Sequence, residues 1–388
     1  MPSIKNSASI AITVGSRGIS NRVLIVKTLV DYLKRIGAAP FIIGAMGSHG
    51  GGTSEGQREV LQSLGFTEEE IGCPIYTSDE VIEVAETKNG YTVYCDKYAW
   101  ESDGIIVLNR IKLHTAFRGL NESGLLKMMT VGLGKSKGAN QLHRQGPAYM
   151  SETIQEVGAA FIETGKIIAG VGIVENSYEE TAYLEVIKPD DILEAERELL
   201  VKAKEYFPRV PIENLDLLVV KKMGKNYSGT GMDTNVIGRS KIQGVPEPKS
   251  PEYKRIIVTD LHESSHGNAT GIGLADFTTE KLIGKLDREK TYWNCITSTY
   301  VQRAMIPMVF DNDQQAIQAA LKSLAVDNPE ELRIAVIENT LHLETLYISS
   351  NLGKHLSDKV ELLSEPMELE FSEQGNLMFF EEEEDSYG

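Results

Sequence analysis

Four apolar runs in the first half of the chain, SIAITVG (9–15), FIIGAM (41–46), GIIVLN (104–109) and KIIAGVGIV (166–174), lack polar alternation. Strands covered on both faces read this way, as in a parallel sheet. After the first comes Ser16-Arg17-Gly18, then helical spacing of Val23, Leu24, Val26, Leu29, Val30 and Leu33. After the second comes GSHGGGTSEGQ, in which Thr53 is placed to cap a helix carrying Val60, Leu61 and Leu64. Residues 72–98 read as short strands, with a hairpin around Asn89-Gly90. The third run leads through a long glycine-bearing segment to an amphipathic helix near Ser151. Strand, loop and helix in repetition predict parallel strands joined by crossover helices.

The rhythm resumes with LDLLVVKKM (215–223) and RIIVTDL (255–261), helical stretches at 278–286 and 314–321, and strands at 332–337 and 342–348. Between the two sets lies PDDILEAERELLVKAKEYF (189–207), a charged helix with proline at its start. The expected architecture is α/β: two doubly wound domains with a cleft between them, joined by hinge helices. Its boundaries fall at 1–188, a connector at 189–212, 213–360, and a C-terminal hairpin and acidic tail at 361–388. A chain of 388 residues is too long for one ordinary core.

The net charge of −17 argues against a nucleic-acid or anionic-membrane surface. No apolar stretch approaches the roughly 20 residues that span a bilayer. Three widely separated cysteines, Cys73, Cys95 and Cys295, fit neither a disulfide framework nor a zinc site and point to a reducing cytoplasm.

Chemistry concentrates in the loops after the strands, where open α/β sheets bind ligands. Arg17 can hold a carboxylate or phosphate, or be a surface arginine. His49 stands among glycines, where backbone approaches a ligand closely; a turn histidine bonded to a carbonyl reads equally well. The loop lacks the Lys-Ser/Thr pair of a phosphate-binding P-loop. The segment IKLHTAFRGLNESGLLKMMTVGLGKSKGANQLHR (111–144) carries His114, Arg118, Lys127, Lys135, Lys137 and His143, with Glu122 its lone acid. A positive field and an anionic ligand are expected there. The spacing does not suit a two-histidine, one-carboxylate metal site. In the second half, His342 and His355 read as structural, and His262 and His266 read as structural in the first place, with lining the cleft as the alternative.

These residues resemble the active-site segment of the nickel-pincer-nucleotide lactate racemase family. The resemblance implies that Lys127 carries the cofactor, a pyridinium-3-thioamide-5-thiocarboxylic acid mononucleotide, beside Ser123 and Gly124. It implies that His143, sixteen residues on, ligates Ni(II). His49 and His114 match the acid/base pair and Arg17 the substrate-binding arginine. In the second domain GTGMDTNVIGRSK (229–241) matches the substrate loop, with Lys241 and Arg239 as substrate contacts. The implied activity is isomerase: a racemase or epimerase inverting C2 of a 2-hydroxy acid by hydride transfer through a 2-keto intermediate. The implied partners are that small molecule and the cofactor-biosynthesis enzymes, with no nucleic acid and no membrane.

The 114–127 loop is longer than in the lactate enzymes, and Val14 stands where they carry aspartate. Ile237 and Gly238 replace a tyrosine and a glutamine, so the substrate is not expected to be lactate. The competing reading is a two-domain binding protein that clamps an anionic, phosphorylated metabolite without chemistry. A nicotinamide dehydrogenase lacks its G-x-G-x-x-G fingerprint here.

Overall fold

The computed structural model describes residues 4–357 and 359–378; the acidic run at 381–385 and the end of the expected hairpin lie outside the described residues. Contacts divide the chain into two compact units, Met1–Phe207 and Pro208–Gly388.

The first unit contains β1 (Ser9–Val14), β2 (Ala39–Gly44), β3 (Ile75–Tyr76), β4 (Val81–Glu86), β5 (Thr92–Asp96), β6 (Gly104–Arg110), β7 (Ile167–Glu175) and β8 (Thr181–Ile187). Six of them form one sheet in the order β3-β2-β1-β6-β7-β8, while β4 and β5 pair as a separate hairpin. The register is parallel, Ile12 facing Ile42 and Ile106, until β8 closes the edge antiparallel to β7. Alternate side chains explain the unbroken apolar runs. Ile10, Ile12 and Val14 pack with Val26, Val30 and Leu33 of helix Arg22–Arg35 on one face. Ala11, Ile105 and Val107 pack with Leu125, Leu126, Leu133 and Phe161 on the other. With both faces covered, each inward isoleucine or leucine contributes about 1.5–3 kcal/mol over exposure, and the one polar residue buried in β1, Thr13, is satisfied by the Leu108 backbone.

The second unit repeats the plan with β9 (Asn214–Met223), β10 (Glu252–Leu261), β11 (Phe277–Thr279), β12 (Met308–Phe310), β13 (Ile334–Ile337) and β14 (Leu346–Ile348). Their order is β12-β11-β10-β9-β13-β14, parallel except for β14. At its C-terminal end Phe371 bridges Leu377 across a turn with Gly375 at φ 79°.

Two elements differ from expectation. Helix Ile192–Tyr206, expected as a connector, lies inside the first unit, burying Ile192, Glu196, Leu199 and Leu200. The glycine-bearing segment is largely helical: Leu125–Lys127, a π-helical stretch Met128–Leu133, then Lys135–Arg144. A Cβ on Gly134 or Gly138 would come within 2.3 or 2.2 Å of the Thr130 carbonyl oxygen. These glycines permit close packing of helical backbone rather than loop freedom.

Candidate functional site

In the first sheet the chain winds outward from β1 through β2 to β3, then returns to place β6 on the other side of β1. The loops after β1 and β6 therefore diverge, and a crevice opens at their carboxyl ends, where such sheets bind ligands. Arg17 leaves β1 there and Arg110 ends β6 there. Arg17 reaches solvent, yet surrounding protein and the Arg110 charge lower its pKa. Arg110 pairs with Glu175, whose other oxygen accepts the Ser20 N–H at 2.6 Å. Buried Arg22 donates to the Gly15 carbonyl at 3.0 Å. Glu175 and Arg22 thus fix the loop that carries Arg17.

His49 follows β2, and its Nδ1 meets the Ser16 hydroxyl in the loop after β1. Gly50 holds φ at 65°, and a Cβ there would lie 2.5 Å from the Gly56 backbone. Thr53 caps helix Ser54–Ser63 by accepting the Gly56 N–H at 3.1 Å, as the sequence indicates. Lys135 is spoken for. Only 2% exposed, it bonds the Gly44 carbonyl, Gln57 Oε1 at 2.9 Å and Asp96 Oδ2 at 3.0 Å.

Backbone pairing of Lys112 with Ser123 closes off the 113–122 loop. Inside it, Glu122 accepts the His114 backbone N–H at 2.7 Å, and the His114 ring stacks on Phe117 at 4.2 Å. His114 Nδ1 accepts the Ala116 N–H at 3.1 Å, which assigns the proton of the neutral ring to Nε2. Gly124 presses against Glu196: a Cβ would fall 2.5 Å from its carboxylate, which accepts the Leu126 N–H at 2.9 Å. Burial raises the pKa of both Glu122 and Glu196.

Lys127 follows directly. Burial, then the charges of Lys112 and Arg17, lower its pKa to about 8. His143, one helix on, is lowered by burial and by the Lys127 charge. Arg17, Arg110, Lys112, Lys127 and His143 therefore share one electrostatic neighbourhood. The expected positive field is present, with different members. Arg118 donates to the His114 and Phe117 carbonyls, Lys135 is buried, and Lys137 lies over the Tyr94 ring at 5.5 Å. Arg110, Lys112 and the acids Glu175 and Glu196 were invisible to sequence reasoning, because nothing local marks them.

The second-unit candidates go elsewhere. Arg239 pairs with Asp276 at 2.8 Å and donates to the Leu274 and Tyr253 carbonyls at 3.0 Å. Lys241 donates to the Gly273 carbonyl at 2.7 Å. These partners precede β11 or begin β10, so both cations sit at the amino-terminal edge of the sheet, opposite the crevice end. Ile237 is buried, and a Cβ on Gly238 would lie 1.8 Å from the Pro251 carbonyl oxygen. The turn at Gly238, φ 62°, sends the chain down to that edge. As a correction, the structure does not bring these four residues to the strand ends.

The fold defines an α/β protein of two sheet-bearing units, and comparison places it among known structures. The model of a domain of unknown function, DUF362, matches residues 13–190. No curated protein matches the sequence. Similar in fold is the lactate racemase apoprotein from Thermoanaerobacterium thermosaccharolyticum: TM-score 0.51, 11% identity, 86% of this chain and 85% of that one covered. A Thermotoga maritima protein solved by a structural genomics consortium gives a TM-score of 0.53 at 12% identity, covering 88% and 94%. At these identities the likeness is one of fold. Among the described residues no helix is long and apolar enough to cross a membrane.

Proposed function

We propose that this chain is a racemase or epimerase that inverts C2 of a 2-hydroxy acid, with a nickel-pincer nucleotide on Lys127 and nickel on His143. The observation that carries the reading is the strand order β2-β1-β6. Arg17 follows the central strand, His49 follows its neighbour on one side and His114 the segment beyond its neighbour on the other. Inverting a carbon centre needs an acid/base group from each side of a substrate held in the middle. The order of strands supports that arrangement.

The residues fit the implied group. An amine with a pKa of about 8 is partly neutral near pH 7.5 and so nucleophilic enough to be acylated. A histidine whose pKa is lowered stays neutral, the form that binds metal. Among the described residues no three or more His, Cys, Asp and Glu side chains are grouped to hold a metal. Nickel at His143 would therefore take its remaining ligands from the nucleotide, whose sulfur and carbon donors suit Ni(II). When bound, the group supplies reversible acceptance of the C2 hydride.

The chain's own residues supply the rest. Arg17, supported by Arg110, holds the substrate carboxylate. One of His49 and His114 takes the hydroxyl proton as C2 flattens to the 2-keto acid, and the other, on the opposite side, donates a proton to the oxygen as hydride returns to the other face of C2. Each such group typically contributes on the order of 10²–10⁴-fold. Because Ile237 and Gly238 do not line the strand ends, the case against lactate loses its structural basis, and larger acids are tested beside it.

The experiment is intact mass and nickel content of protein made beside the cofactor-synthesis enzymes, with Lys127→Ala as control. Chiral chromatography of lactate, malate, 2-hydroxyglutarate and gluconate then reads turnover. An adduct lost in the control, with nickel and racemisation, is expected. Racemisation by protein with unmodified Lys127 would overturn the proposal, and anion binding without turnover would favour the metabolite-binding reading.

A further inference from the structure

Among the described residues no strand pairs with the outer side of β8. It is seven residues long and holds neither proline nor lysine, whereas the other outer strands, β3, β12 and β14, run two, three and three residues. Natural sheets blunt a long edge, because its unpaired N–H and C=O groups are a template for another strand. β8 is not blunted. Leu184 stands beside Ile173 and Val186 beside Val171 on one face, and Tyr183 beside Val174 on the other. Ile173 and Val171 are buried in the cluster that includes Val26, Val30 and Leu33, yet Leu184 and Val186 are 51% and 57% exposed. The apolar layer therefore runs one strand further than its cover. On the opposite face the Tyr183 ring meets Tyr206 edge to face at 5.7 Å, and Lys202 lies over it at 4.5 Å.

The strand's own sequence selects its occupant. Two copies of β8 paired antiparallel about a two-fold axis make a contact in which each residue's partner is reciprocated. Centred on Leu184, the pairing sets Leu184 against Leu184, Val186 against Ala182 and Tyr183 against Glu185. At both ends it carries Glu180 of one copy to Lys188 of the other. Both are exposed, and the Glu180 carboxylate accepts the uncharged Asn176 side-chain N–H at 3.2 Å. Glu185 is brought toward Lys202, which lies over the opposed Tyr183. Centring on Glu185 instead opposes two carboxylates, and centring on Tyr183 faces Glu180 with Val186. Glu179 in the preceding turn and Glu205 beside Tyr206 add acids near this edge, and the chain carries −17. Repulsion between copies is screened beyond about 8 Å at physiological salt, so the directly opposed groups decide. The pair also closes: its outer edges become the two β3 strands, each of two residues.

We propose that β8 is a self-association surface, through which two copies of this chain join their first sheets edge to edge in an antiparallel pair centred on Leu184. The proposal uses none of the residues assigned to the nickel chemistry.

The test is the mass of full-length protein by sedimentation at micromolar concentration and physiological salt, where twice the chain mass is expected. Leu184→Lys sets two ammonium groups against each other at the axis and should leave a monomer, with Tm little changed because the residue is exposed in the single chain. Glu180→Lys and Lys188→Glu should each weaken dimerisation about tenfold, and the two together should restore it. Leu184→Cys gives a second reading that needs no loss of contact. Opposed Cα atoms of an antiparallel pair lie about 4.5–5.5 Å apart, within disulfide reach, and the native cysteines are buried. Mild oxidation should therefore link two copies through Cys at 184. Val186→Cys should not link, since its two copies would stand roughly 13 Å apart along the strand. A wild type that stays monomeric, a dimer that survives Leu184→Lys, or charge swaps that fail to rescue each other would overturn the proposal. Assemblies larger than two would do so as well, because the pair closes.

Discussion

Replacing Lys127 by methionine should stabilise the first unit at neutral pH. Methionine keeps the length of the side chain and removes an ammonium that burial, Lys112 and Arg17 all disfavour. At 1.36 kcal/mol per tenfold change in proton affinity, lowering the amine from 10.5 to about 8 amounts to roughly 3 kcal/mol against the charged form. Part of the side chain still meets solvent, so the gain is about 1–3 kcal/mol after screening. For a unit of this size that raises Tm by roughly 3–9 °C. The pH dependence fixes the cause. Below pH 8 the folded state bears the whole penalty; it fades as the amine deprotonates and is gone above 10.5, where the unfolded chain is also neutral. The stability gap between variant and wild type should therefore be full at pH 7 and close toward pH 10.5. Calorimetric melts of cofactor-free protein across that range measure it. A variant less stable than wild type at pH 7, or a gap that ignores pH, would show that Lys127 is held by favourable contacts and is not a strained reactive amine.

Three further outcomes are expected. His49→Ala and His114→Ala should each abolish most racemisation by holoenzyme while nickel content stays unchanged; loss of nickel in either would exchange its role with that of His143. Gly124→Ala drives a Cβ against the Glu196 carboxylate at 2.5 Å and should destabilise by about 1–3 kcal/mol, read as a lower Tm. Arg239→Ala strands Asp276 and the Leu274 and Tyr253 carbonyls, so it should destabilise by about 1–3 kcal/mol and leave KM for the 2-hydroxy acid unchanged.

The long parallel strands were legible because both their faces are buried, which writes unbroken apolar runs into β1, β2, β6, β7, β9 and β10. The edges were not. β8 exposes Tyr183, Leu184 and Val186, and β11 and β12 run only three residues each, so neither leaves a pattern. Within the site the histidines, Arg17 and Lys127 were visible as residue types in post-strand loops. Their partners were not, since Glu175 meets Arg110 and Glu196 meets Leu126 across sequence gaps of 65 and 70 residues. Nor does sequence distinguish Lys135 from Lys127: both are lysines of one glycine-bearing segment, and only packing buries one against Asp96. The second-unit loop misled because Gly238 read as lost bulk at a site, whereas it is the pivot of a turn under Pro251.

Lys135 has a practical consequence for anyone moving this site onto another scaffold. Its ammonium joins Gly44, at the end of the strand before His49, to Gln57, in the helix after it, and to Asp96 on the hairpin. The histidine loop is thus clamped at both ends by a side chain that lies between Lys127 and His143. A graft of 111–144 alone would carry a buried cation to a place without its three acceptors, while His49 would arrive on a loop with no clamp. The Lys135 clamp alone takes a discontinuous set of three chain segments, 44–57, the hairpin with Asp96 and 111–144, and a shorter graft should fold poorly before it fails to react.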